Sequence, residues 1–110
     1  MKRLNIKPLS VNDAWQGRRF KSPAYKQYER DMLMIMPRIE MPDGELKLSI
    51  TFGFSNKSSD IDNPLKMFID ILQAKYKFND SRIVSLIVNK VKVEKGMEYI
   101  DFNIGAANEQ

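Results

Sequence analysis

Between residues 46 and 54 the chain alternates without a break. Leu46, Leu48, Ile50, Phe52 and Phe54 are apolar, and Lys47, Ser49, Thr51 and Gly53 stand between them. A period of two marks a strand with one buried face. A shorter alternation, Leu4 and Ile6 among Arg3, Asn5 and Lys7, predicts a first strand that Pro8 ends. Leu9 to Lys21 has no clear period and reads as a long loop, unusual enough to suggest function. Ser22-Pro23 then offers a capping hydroxyl followed by a proline whose missing N–H costs nothing in a first turn. Tyr25, Tyr28, Met32, Ile35 and Met36 recur at helical spacing until Pro37 stops the helix.

Pro42-Asp43-Gly44 reads as a turn and Ser55 to Ile61 as a polar loop. A second helix is expected from Pro64, capped by Asp62 or Asn63, with Leu65, Phe68, Ile69, Leu72 and Tyr76 as its apolar stripe. Residues 83–93 carry Ile and Val on both faces, as a central strand would. Lys95-Gly96 turns the chain into a last strand through Ile100, Phe102 and Ile104, and a frayed tail is expected from Gly105. The order β-α-β-α-β-β predicts one α/β (α+β) domain over residues 1–110, a mixed sheet of about four strands packed with two helices.

Composition narrows the chemistry. The chain has neither Cys nor His, which removes disulfides, thiolate metal sites, histidine bases and serine-type triads. Hydrolysis would rest on carboxylates, Lys, Tyr, Ser or an oxygen-bound metal. No apolar run approaches the roughly 20 residues that span a bilayer, and the opening Met1-Lys2-Arg3-Leu4-Asn5-Ile6-Lys7 is too short and polar for a signal peptide. A cytoplasmic location is the expectation. The net charge of +4 is unevenly spread: residues 1–30 hold eight basic side chains against Asp13 and Glu29. A basic first third joined to an acid-bearing body suits a polyanion grip beside a metal site, although a solvated face reads the same way.

The informative run is Asp60-Ile61-Asp62-Asn63-Pro64-Leu65-Lys66. In an extended segment, residues two apart share a side, so Asp60 and Asp62 would converge on one cation. Lys66, in the first helical turn, would reach back to the same spot, and Asp80 would return after the helix. Three carboxylates without His suit a hard cation such as Mg²⁺, which neutralises a phosphodiester and lowers the pKa of a bound water. The spacing leaves ordinary readings open: Asp62 or Asn63 as a cap, Lys66 and Asp70 as an i,i+4 ion pair, Asp80-Ser81 as turn chemistry.

This run, with Phe68-Ile69-Asp70-Ile71-Leu72 and Asn79-Asp80-Ser81-Arg82-Ile83-Val84, resembles the RusA family of Holliday-junction resolvases. Pro8-Leu9-Ser10-Val11-Asn12 and Trp15-Gln16-Gly17-Arg18-Arg19-Phe20-Lys21 resemble phage-borne members. The resemblance spans nearly the whole chain. It implies that Asp60, Asp62 and Asp80 bind Mg²⁺, with Mn²⁺ as a substitute, and that Lys66 is the catalytic lysine. It further implies a homodimer that cuts two strands of a four-way junction symmetrically in recombination and repair, in a bacterial host cell, from a phage or prophage gene. The chain departs from the family's pattern at Asn79, where an acidic pair is common, and in the weakly basic Asn56-Lys57-Ser58-Ser59.

Trp15, Arg18, Arg19, Lys21 and Lys57 are the expected DNA contacts, with Phe20 and Tyr25 as further planar groups. Tyr25 also sits on the helix stripe, which makes it a core residue, and Trp15 reads equally as core or as contact. Two other functions fit the same residues: a broader nuclease cutting flaps and forks, and a catalytically idle DNA-binding protein.

Overall fold

A computed structural model describes residues 1–17, 20–56 and 58–108. In chain order they form β1 (Lys2–Leu4), α1 (Val11–Ala14), β2 (Trp15–Gln16), β3 (Phe20–Lys21), α2 (Pro23–Ile35), β4 (Leu46–Phe54), α3 (Leu65–Tyr76), a short 3-10 helix (Asp80–Arg82), β5 (Ile83–Lys92) and β6 (Tyr99–Ala106). The main sheet has the order β1-β6-β4-β5. β4 pairs antiparallel with β6 and parallel with β5, so α3 is the crossover of a β-α-β unit. The expected mixed sheet of four strands is present, with a third, short helix added.

The alternation over 46–54 does what its period requires. Leu48, Ile50 and Phe52 are buried with Ile100 and Phe102 of β6 beneath the helices, while Lys47, Ser49 and Thr51 keep partial exposure on the other face. Phe68 of α3 sits edge-on to Phe52 and to Phe102, with ring centroids 6.0 and 5.8 Å apart. Ser22 caps α2 by accepting the Tyr25 N–H at 3.1 Å, and Pro23 opens the helix.

Four expectations give way. The unperiodic stretch after Leu9 contains α1 and a small hairpin of β2 and β3, held by pairs too short to leave a hydrophobic period. The Ile/Val strand is not central: β5 is an edge, and Val84, Leu86, Ile87 and Val91 remain exposed. The last strand does not fray at Gly105, which pairs with Lys47, while the Ala107 N–H donates to the Glu45 carbonyl at 2.9 Å. Neither Asp62 nor Asn63 caps α3. Pro64 takes that position without a side-chain hydrogen bond, and the residues before it are in turns.

On the open face Gly53 is fixed by contact. A methyl group there would lie 2.6 Å from the Tyr99 ring, over which the Arg3 guanidinium stacks at 3.8 Å while pairing with Asp101 at 2.8 Å. Gly53→Ala should therefore destabilise the fold by about 1–3 kcal/mol through overpacking. Thermal unfolding checks this, and Gly53→Ala should cost less in a Tyr99→Ala background than in the unaltered protein.

Candidate active site

β4 and β5 run parallel, with Leu46 opposite Ile83 and Phe54 opposite Lys92. The loop leaving β4 and the loop entering β5 therefore sit at opposite ends of the pair. Asp60 and Asp62 belong to the first loop, and Asp80 to the second. The first loop is held at its own end by the Lys90 ammonium, which donates to the Ser59 carbonyl at 2.9 Å. Its turns are closed by the Asn63 N–H on the Asp60 carbonyl and the Leu65 N–H on the Asp62 carbonyl, both at 3.2 Å. Because these residues turn rather than extend, strand alternation does not aim Asp60 and Asp62 at one point.

Asp80 is held elsewhere. Its backbone N–H donates to Gln73 Oε1 at 2.9 Å, and Asn79 caps the short helix by accepting the Ser81 N–H at 2.8 Å. Asn79, where the family pattern favours an acid, thus has a structural task here. Gln73 lies eight residues into α3 from Leu65, about 12 Å along the axis. Among the described residues, no three carboxylates come together as a group able to hold a metal. Asp60, Asp62 and Asp80 are all exposed in the single chain.

Lys66 is directed along the helix. Its Nζ donates to Asp70 Oδ1 at 2.9 Å, one turn further along α3. This is the i,i+4 pair that the spacing allowed, and at the surface such a pair contributes only tenths of a kcal/mol to stability. Its consequence for charge is clearer. The Asp70 hydrogen bond and charge, and then the charge of Asp80, raise the Lys66 pKa above the ordinary lysine value against a small opposing effect of burial. Lys66 therefore keeps its proton at neutral pH and acts as a cation. Gln73 Nε2 reaches Asp70 Oδ1 at 3.4 Å, so a polar stripe of Lys66, Asp70 and Gln73 runs along α3 to Asp80. The sequence alone did not single out Gln73, although its spacing from Lys66 and Asp70 puts all three on one helical face.

The hairpin carries the aromatic groups. Tyr25 is buried, with Trp15 edge-on to it at 5.4 Å and the Lys21 ammonium 5.0 Å from its ring centroid. Burial pushes the Tyr25 hydroxyl up to about 12, with the charges of Asp70 and Glu29 acting in the same direction. Lys21 also pairs with Glu29 at 2.9 Å, which offsets part of its charge. Trp15 is 40% exposed and Phe20 72% exposed, so two aromatic groups of the hairpin strands face solvent. Arg18, Arg19 and Lys57 lie outside the described residues.

The described residues thus present separated carboxylates, a lysine fixed as a cation and an aromatic hairpin. No helix among them is long and apolar enough to cross a membrane. No individual curated protein matches the chain. A family model described as Endodeoxyribonuclease RusA matches residues 7–100.

Proposed function

The chain belongs to the RusA endodeoxyribonuclease family, and we propose that it is a Mg²⁺-dependent endonuclease that resolves four-way DNA junctions by paired cuts. The match over residues 7–100 carries the reading, because it includes Asp60, Asp62, Lys66 and Asp80 together. The donor set is all carboxylate, which fits a hard divalent cation, Mg²⁺ or Mn²⁺ in its place. Such an ion supplies a polarised water and neutralises phosphate charge. Asp60, Asp62 and Asp80 would hold it.

Their separation in one chain favours a second copy. A twofold pair would bring Asp80 of the partner subunit toward Asp60 and Asp62, and the same operation would supply the two sites that two symmetric cuts need. The chain has apolar surface available for such a contact. Leu33, Met34 and Ile35 at the end of α2, and Val84, Leu86, Ile87 and Val91 on the β5 edge, are all exposed.

The roles of the remaining groups follow from charge. Lys66, protonated and exposed, stabilises the negative charge that builds on the phosphorane oxygens. Asp70 holds the amine by a hydrogen bond at 2.9 Å and adds to its preference for the charged form. Lys66→Met, which keeps the stem and removes the charge, should lower kcat by about 10²–10³-fold with little change in KM, the loss typical of one transition-state donor. A comparable effect confined to KM would make Lys66 a DNA-binding residue instead.

The hairpin would grip DNA through Arg18, Arg19 and Lys21, aided by Lys57, with Trp15 and Phe20 stacking on bases exposed at the branch. Replacing Arg18, Arg19 and Lys21 by Ala should reduce the slope of log affinity against log salt by about 0.9 for each phosphate left unneutralised. An unchanged slope would assign these side chains to the bare surface. Incubation in Mg²⁺ with a four-way junction beside flap, fork and linear duplex tests the selectivity. Preferential cutting of the junction is expected, and equal cutting of flaps and forks would favour the broader nuclease.

A further inference from the structure

The N-terminal loop, α2 and the loop after β4 enclose a cleft of about 690 Å³, within the range of small-molecule sites. One wall is a single stripe of α2, formed by Ala24, Gln27, Tyr28 and Asp31. The lining also includes Asn56, Ser59 and Asn63 from the loop that carries Asp60 and Asp62, while those two aspartates do not line it. Whatever occupies the cleft therefore rests against the acidic loop without displacing its carboxylates.

The lining chemistry selects the occupant. Lys7 is the one cation among the described lining residues, against Asp13 and Asp31, and its charge also acts on Glu98. The described lining residues therefore carry a net negative charge. The apolar part is formed by Leu9, Phe54 and Tyr28, with Phe54 and Tyr28 only 9% and 5% exposed. The Tyr28 hydroxyl is buried and makes no hydrogen bond among the described residues, although the Leu9 backbone stands close enough to act on it. Asp31 is already held by Gln27 Nε2 at 2.7 Å, and Gln27 by Arg30 at 2.8 Å, so this wall is organised in advance. Fixed carboxylate and amide groups beside a small apolar floor match a neutral heterocycle with amino and carbonyl edges.

We propose that this cleft receives a nucleobase of the bound DNA, turned out of its stack next to the phosphate that is cut. The proposal rests on the nuclease reading above and adds a second determinant to it: a base read beside the branch. Unstacking costs least where bases are already unpaired or poorly stacked, as at a branch point. The occupant would be favoured by an exocyclic amine facing Asp31 and by amide contacts from Asn63.

The test uses four-way junctions with 2-aminopurine placed in turn at each position flanking the mapped cut, bound in Ca²⁺ so that the strands stay whole. Fluorescence should rise at one position with the unaltered protein. Asp31→Asn and Asn63→Ala, on different elements of the lining, should each diminish that rise while junction binding persists, and should flatten the base preference for cleavage there by about tenfold. Tyr28→Phe keeps the ring in the core and removes only the hydroxyl, so it should fold and show the same effect in milder form. A protein that cuts junctions but brightens no position, or brightens equally in all three variants, overturns the cleft and leaves the nuclease standing. A protein that cuts no branched DNA in Mg²⁺ overturns both.

Discussion

Asp62→Asn is expected to abolish cleavage of a four-way junction while leaving its binding intact or tighter. The carboxylate is exposed and forms no ion pair among the described residues, so its replacement should leave the fold unharmed. It occupies the second acidic position of the D-x-D-N-x-x-K run, where the family resemblance places a metal ligand. Outer-shell partners of a metal cost about 10–100-fold when changed, and removal of a ligand should exceed that, below the limit of a gel assay. Binding should survive because one negative charge beside the phosphates is removed. Cleavage rate at saturating protein, read beside a gel shift in Ca²⁺, separates the two effects. Near-normal turnover would remove Asp62 from the site.

Mixing two inactive proteins should restore activity. If each site joins Asp60 and Asp62 of one chain to Asp80 of the other, an Asp60→Asn chain paired with an Asp80→Asn chain has one site carrying both defects and one carrying none. Such a heterodimer nicks a single strand. Each protein alone should be inactive, and co-refolding equal amounts should yield nicking by the heterodimers, about half of all dimers when a twofold pair assembles at random. Sites built within one chain would stay inactive in every combination. The outcome therefore bears directly on why β4 and β5, being parallel, place the two acidic loops at opposite ends.

The sheet and its two long helices are legible in the sequence because their burial pattern is periodic. Phe52 and Phe68 are core residues in both the pattern and the structure. The hairpin of β2 and β3 is not, because two-residue strands cannot show alternation; among the described residues Gly17, with its positive φ, follows β2. β5 misleads for a different reason. Apolar residues on both faces signal burial on both faces in a central strand, but here they lie on an edge with exposed apolar side chains.

The site is legible by type and not by place. Asp60, Asp62, Lys66 and Asp80 stand out in a chain without His or Cys. Their distribution, however, depends on the direction of β5 relative to β4, which local sequence does not encode. The same limit applies to Lys66. Its spacing permits both a reach back to Asp62 and a reach forward to Asp70, and helix geometry with an available carboxylate decides for Asp70.

The most direct measurement uses a supercoiled plasmid bearing an inverted repeat that extrudes a cruciform, incubated with the protein in Mg²⁺. Paired cutting within one encounter should convert it to linear molecules with symmetric ends, and neither linear nor nicked product should form with a chelator present. Intact plasmid in Mg²⁺, or nicked circles that are never linearised, would contradict a junction endonuclease that acts through two sites at once.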